Sequence, residues 1–255
     1  MSPKEFAIAI VTSGDLDPDY ILMHNLLNAH EMDREQVAKW IFLKAVIYNS
    51  EQELSFLLGK IKNIDNLKKG AERNKTSELE IIRTWKNLEN LSQKFGGWLI
   101  MAATIPKPVN LRLDWLRSIH GFGPWAAWKV MDLLDRVLSF PADLSGLDFR
   151  KAYTFPLKGM LLCAGEPESN LPRLLKDDAY YAQILRAGLL CLGEAKELYS
   201  RPRMDRKLSL LEFETVFCKY HSYVHKKYKV NQDLLKLRER FEKSEHVSEY
   251  REFCP

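Results

Sequence analysis

Two glycines around one apolar residue, Gly121-Phe122-Gly123, followed at once by Pro124, constrain this chain more than any other feature. Neither glycine carries a Cβ, so the backbone can turn sharply there and approach a partner closely. Leu116 and Ile119 place an apolar stripe on the incoming segment, and Ala127, Val130 and Leu134 do so on the outgoing one. Both stripes have helical spacing. Pro124 suits the first turn of the second helix, where its missing N–H removes no hydrogen bond. The N–H groups of such a turn and helix start can hold a phosphate. Asp143 follows Gly123 by twenty positions. An ordinary helical hairpin closed by glycine has the same local pattern, so the turn alone assigns no function.

Helical spacing continues through nearly all 255 residues. The spacing predicts helices over 18–30, 33–47, 50–64, 77–95, 98–104, 177–199, 209–227 and 231–244. Asp33 and Ser77 stand at the starts of two of them, and Ser77 with Glu80 has capping-box spacing. Phe6–Thr12 (FAIAIVT) is the one run with strand character, and reads as a strand or a helix end. Gly96-Gly97, Pro106, Pro108 and Gly165-Glu166-Pro167 are breaks. The content of 46% hydrophobic and 28% charged residues is enough for a core with a charged surface. No run is apolar for long enough to span a membrane, and the N-terminal stretch lacks a signal-peptide layout. Four dispersed cysteines read as free thiols of a reducing cytoplasm. The net charge of +4 resides in residues 201–255, with 13 basic and 9 acidic side chains. Within that part, KYHSYVHKKYK (219–229) interleaves basic and aromatic residues in a manner suited to a nucleic-acid backbone or to a solvated face.

The Leu116–Asp143 stretch resembles the helix-hairpin-helix motif of the DNA glycosylases of that name, whose aspartate stands at the same distance from the second hairpin glycine. The resemblance implies an all-α, glycosylase-like fold: one unit over 1–255, made of two helical lobes with a cleft. The helix-hairpin-helix lies at about 112–138 and the basic C-terminal helices at 209–244. Trp125 occupies the position of the nucleophilic lysine of the bifunctional enzymes, which argues against Schiff-base chemistry.

Further pieces resemble a narrower family, the phage amino acid:DNA transferases and the related helical domain of the hydroxymethyluracil DNA kinases. They are Asp15-Leu16-Asp17-Pro18-Asp19-Tyr20, Ile47-Tyr48-Asn49, Glu72-Arg73, Trp128-Lys129 with Asp132 and Asp135-Arg136-Val137, Glu214–Lys219, and Tyr228-Lys229-Val230. Asn74 and His221 depart from that pattern. The resemblance implies transfer of an amino acid, glycine by size, onto phosphorylated or pyrophosphorylated 5-hydroxymethyl-deoxyuridine in double-stranded DNA. It also implies a host-cytoplasmic enzyme linked to a kinase that prepares the base.

Candidate residues follow from that chemistry. Arg73, Lys129, Arg136 and Lys219 can stabilise a departing phosphate. Asp143, then Asp132, can take the proton of the incoming amine. Lys129, Asp132 and Arg136 share a helix face, as a substrate surface or as an exterior ion-pair stripe. Asp143 can equally cap Leu144-Ser145. Asp17, Tyr20, Tyr48, Glu72, Arg73, Lys219 and His221 are the substrate-binding candidates. Gly121, Phe122, Gly123, Trp125, Lys226, Lys227 and Lys229 are the DNA-binding candidates, with core packing the alternative for the aromatics. Cys218, His221 and His225 share a face with ligand spacing, but a fourth ligand is lacking and no metal is expected. Neither GxxxxGK[ST] nor GxGxxG occurs, so no nucleotide cofactor is expected. Two other activities remain open: a monofunctional glycosylase using Asp143, and a non-catalytic DNA-binding subunit.

Overall fold

The computed structural model describes residues 1–70, 73, 76–151, 154–202 and 205–253. Among them every extended regular element is helical, and the only strand-like pairings are isolated bridges, Pro108 with Asp143 and Tyr199 with Lys207. In chain order the α-helices are α1 (Pro3–Thr12), α2 (Pro18–Ala29), α3 (Arg34–Ile47), α4 (Ser50–Leu57), α5 (Glu78–Phe95), α6 (Trp98–Thr104) and α7 (Val109–Arg117). They continue with α8 (Pro124–Arg136), α9 (Thr154–Cys163), α10 (Leu171–Lys176), α11 (Asp178–Cys191), α12 (Leu210–Val224), α13 (Gln232–Phe241) and α14 (Val247–Phe253). The fold is all-α. Phe6–Thr12 belongs to α1: Ser2 and Glu5 form a capping box and Pro3 opens the first turn, so local end signals decide the conformation.

The chain forms two compact units. One comprises Met1–Ile21 and Asp148–Leu237, the other Leu22–Leu147 and Arg238–Cys254.

In the first unit α9 packs most extensively on α12. A Cβ at Gly159 would lie 1.8 Å from the Phe217 carbonyl oxygen, so only glycine permits this approach of the two backbones. Phe6 of α1 packs among Tyr220, Tyr223 and Tyr228, with ring centroids 5.0 to 6.1 Å away. Asp15, fully buried, accepts hydrogen bonds from the backbone N–H groups of Asn231 (2.7 Å) and Leu234 (2.8 Å) and from the Tyr228 hydroxyl. Burial and the Asp15 carboxylate push the Tyr228 phenol far above its ordinary pKa.

In the second unit α3 packs against α4, α5, α6 and α8. It is buried on nearly every side, as its unbroken apolar content requires. Asp33 caps it in a capping box with Gln36. Trp85 stacks on Trp98 at 5.1 Å. The α6 start has no cap of its own, and Glu35 of α3 accepts from the N–H groups of Trp98 (2.6 Å) and Leu99 (2.7 Å) instead. Ser77 caps α5 by accepting from the N–H of Glu80, while the Glu80 carboxylate turns to His120 at 2.8 Å.

Candidate active site

The α7–α8 pair is closed by the glycine turn. Gly121 has φ +78°, and a Cβ there would lie 1.9 Å from Thr84 Oγ1, so this position needs glycine for both conformation and space. Gly123 is different: its φ is −82°, it is exposed, and a Cβ would meet open space. It precedes Pro124 at the α8 start and supplies no side-chain cap to the first-turn N–H groups. Phe122 is 5% exposed and anchors the turn in the core. Trp125, in the first turn of α8, is half-buried.

Around Trp125 the fold gathers residues that are distant in sequence. The Tyr48 ring meets it edge-on at 5.0 Å. Tyr48 ends α3 in the left-handed conformation, φ 49°. The loop after α4 is pinned to this end of α3: Gly70 N–H donates to the Ile47 carbonyl at 2.7 Å, and Asn49 Nδ2 to the Lys68 carbonyl at 3.0 Å. Arg73 thereby enters the interior. Its Nε donates to the Val46 carbonyl at 3.0 Å, and its guanidinium carbon stands 5.7 Å from the Trp125 ring centre.

Arg73 is 8% exposed, and its Nη2 has no hydrogen-bond partner among the described residues. No described carboxylate pairs with it. Burial lowers its pKa, and no anion among the described residues opposes the shift. Asn49 Oδ1, at the same end of α3, is also buried without a described partner. An unmet buried donor costs about 1–3 kcal/mol, more when charged. A buried guanidinium with a donor unmet among the described residues is suited to receive an anion. Glu72 lies outside the described residues.

Beneath this corner lies a second polar group. Glu53 accepts from Trp40 Nε1 (2.8 Å) and Asn49 N–H (2.6 Å) and pairs with Lys44 at 3.7 Å. Lys44 donates to Ser50 Oγ at 2.8 Å and stands 4.3 Å from the Tyr48 ring centre. Lys44 and Glu53 are wholly buried. Along α8, Trp125, Lys129, Asp132 and Arg136 share one face by their four-three-four spacing. Lys129, Asp132 and Arg136 are at most 7% exposed, and Arg136 Nη1 lies 3.5 Å from Asp132 Oδ2. The exterior ion-pair stripe that their spacing also allowed is thus excluded.

Asp143 stands elsewhere. Its N–H donates to the Lys107 carbonyl and its carbonyl accepts from Val109, which fixes it beside the α7 start. The glycine turn follows the other end of this nine-residue helix, about 13 Å along its axis. Arg112 holds the returning chain by donating to the carbonyls of Pro106 (2.7 Å), Phe140 (2.8 Å) and Pro141 (3.3 Å). The Asp143 carboxylate is exposed and accepts from Ser145 N–H at 2.9 Å. The Ser145 hydroxyl and amide hold its pKa below the ordinary value.

The remaining candidates belong to the first unit. Asp17 (8% exposed) and Tyr20 (fully buried) are interior residues. Lys219 donates to the Asp15 carbonyl and pairs with Asp233 at 2.7 Å, so its charge is already engaged. His221 is buried against Glu168 at 3.2 Å. Lys226, Lys227 and Lys229 are exposed. Lys44 and Glu53 were not among the sequence candidates, although a lysine inside the apolar stripe of α3 was a visible signal.

Residues 113–229 match the family model described as amino acid:DNA transferase. The chain is also similar to a glycinyltransferase of Pseudomonas phage PaMx11, 23% identical over 275 positions that cover 94% of this chain and 89% of the relative. Fold and comparisons together define an all-α transferase that acts on DNA. The likeness to the amino acid:DNA transferase family lies in residues 113–229.

Proposed function

We propose that this enzyme joins an amino acid, glycine in the first instance, to phosphorylated or pyrophosphorylated 5-hydroxymethyl-deoxyuridine in double-stranded phage DNA. It acts in the host cytoplasm, after a hydroxymethyluracil DNA kinase has installed the leaving group. The amine lone pair forms a C–N bond at the exocyclic methylene carbon. The C–O bond breaks, phosphate or pyrophosphate departs with the electron pair, and the nitrogen gives up a proton.

The buried Arg73 guanidinium beside Trp125, with Nη2 unmet among the described residues, carries this reading. A planar, desolvated fork suits an anion that gains charge as its ester bond breaks. Tyr48 and Trp125 offer aromatic edges to a base drawn out of the stack. Lys129, Asp132 and Arg136 hold the α8 face behind Trp125 in place. Gly121 and Phe122 shape the turn, and Gly123 lets a phosphate approach the α8 start. Lys226, Lys227 and Lys229 supply further phosphate contacts. Asp143, ionised and exposed with a depressed pKa, is a weak base at the far end of α7, and this reading gives it no part in the proton transfer.

The test incubates the full chain with hydroxymethyluracil duplex, unmodified, phosphorylated or pyrophosphorylated, and glycine or mixed amino acids, followed by nucleoside mass spectrometry. The expected product is a nucleoside carrying glycine through nitrogen, formed only from an activated duplex. Release of free base would make the protein a glycosylase, and duplex binding without product would make it a binding subunit.

A further inference from the structure

We propose that Glu168, His221 and His225 form a binding site for one divalent transition-metal ion of the zinc type. The two histidines are one turn apart on α12 and its C-cap, with ring centroids 4.6 Å apart. Glu168 opens the short 3-10 turn Glu168–Asn170. One ligand atom from each of the three lies within 4.8 Å of the other two. Both imidazoles direct Nε2 at the same carboxylate: His221 Nε2 is 3.2 Å from one oxygen, and His225 Nε2 bonds the other. Ligand atoms of a tetrahedral zinc site, bound at about 2.0–2.1 Å, stand roughly 3.3 Å apart. His221 Nε2 and Glu168 Oε2 already have that spacing, and the exposed His225 ring has room to draw back to it.

The donor set has the chemistry of the ion. Two neutral imidazoles and one carboxylate favour zinc, cobalt or nickel over calcium or magnesium. His221 is 5% exposed and fixed against Phe155 at 5.4 Å, so one ligand is held in place. His225 is half-exposed and gives the ion a route in. Cys218, the third ligand suggested by helix spacing alone, is not in the cluster, and Glu168 from a different segment takes its place. The Lys158 ammonium stands 3.3 Å from Glu168 Oε2 and supplies positive charge where the ion would sit. Three protein ligands leave a position for water or an anionic oxygen. Bound metal would clamp the turn at 168–170 to α12.

The experiment needs no transfer activity, so its failure is separate from that of the proposed reaction. Chelator-stripped full-length protein is titrated with Co2+ and its visible absorption recorded, with Zn2+ added afterwards in competition. One equivalent of Co2+ should give a visible band that Zn2+ abolishes. Glu168→Gln and His225→Ala should weaken binding by at least about 10-fold; His225 is exposed, so its loss spares the core. Cys218→Ser should bind as the parent does, and Lys158→Met should bind more tightly because a competing charge is gone. Absence of a stoichiometric band from the parent protein overturns the proposal. So does unchanged binding in both ligand variants, or loss of binding in Cys218→Ser.

Discussion

Arg73 holds its guanidinium carbon 5.7 Å from the centre of the Trp125 ring, joining a loop after α4 to the first turn of α8. The contact brings a charge with an unmet donor to the edge of the glycine turn. Arg73→Lys keeps the charge but loses the fork. Turnover of the phosphorylated duplex should fall about 100-fold, the scale of removing one preorganised donor. DNA affinity and the circular dichroism spectrum should be retained. Turnover within threefold of the parent would remove Arg73 from the chemistry.

The two hairpin glycines should respond oppositely to alanine. Gly121→Ala forces a positive φ on a residue with a Cβ and drives it into Thr84, costing at least about 1–2 kcal/mol from the backbone alone. Gly123→Ala meets no neighbour and should keep stability within about 0.5 kcal/mol. It should nevertheless weaken duplex binding several-fold, because the added methyl stands where a phosphate approaches. Chemical denaturation and fluorescence anisotropy on both variants decide the matter. Parent-like affinity in Gly123→Ala would mean that the turn does not touch DNA.

Lys226, Lys227 and Lys229 are exposed together beyond α12. Replacing all three with alanine should flatten the dependence of log affinity on log salt by about 0.9 for each phosphate contact removed. An unchanged slope would show that this end of the chain faces solvent only.

Glu53 is the hub of the buried group below Tyr48, with Trp40, Asn49 and Lys44 as partners. Glu53→Gln removes a carboxylate charge that pairs with the buried Lys44 ammonium. Breaking a buried pair from one side costs about 3–5 kcal/mol. The urea midpoint should drop accordingly, while Lys44→Met with Glu53→Gln should recover part of the loss. A single variant as stable as the parent would contradict this account.

His24 lines a cavity of about 260 Å³ with Leu27, Met32, Arg34 and Val137. Burial lowers its pKa below the ordinary 6.5, against a hydrogen bond to the Asn25 side chain that raises it. The unfolded chain therefore takes up a proton at a higher pH than the folded one. Stability is complete above 6.5 and declines as pH falls toward the folded value. The melting temperature should drop less on acidification in His24→Gln than in the parent. Equal slopes would rule His24 out as a source of acid sensitivity.

Much of the helical order was legible from spacing and end signals. Asp33 and Ser77 start the helices assigned to them, because a side-chain oxygen at a free N–H is a local interaction. Boundaries governed by tertiary contact were not legible. The helix from Ser50 ends at Leu57, and Gly59 then takes a positive φ. The α14 helix is only seven residues long and was not foreseen, although Val247 and Tyr250 have helical spacing. Tyr48, Arg73 and Trp125 were each legible as candidates, but their meeting was not, since it depends on how the loop after α4 folds back onto α3. Glu168 could not be matched to His221 and His225 for the same reason. The burial of Lys129, Asp132 and Arg136 also escaped, because spacing fixes which face residues share and not what covers it.

The side chain of Asp15 caps the approach to α13 and receives the hydroxyl of Tyr228, while its carbonyl receives Lys219. The stretch shared with the family, 113–229, contains the two donors but not the acceptor. A fragment trimmed to those limits would leave the Tyr228 phenol without its carboxylate and the Lys219 ammonium without the Asp15 carbonyl. Dissection of this enzyme must therefore follow its interlocked ends, and not the limits of the matched segment.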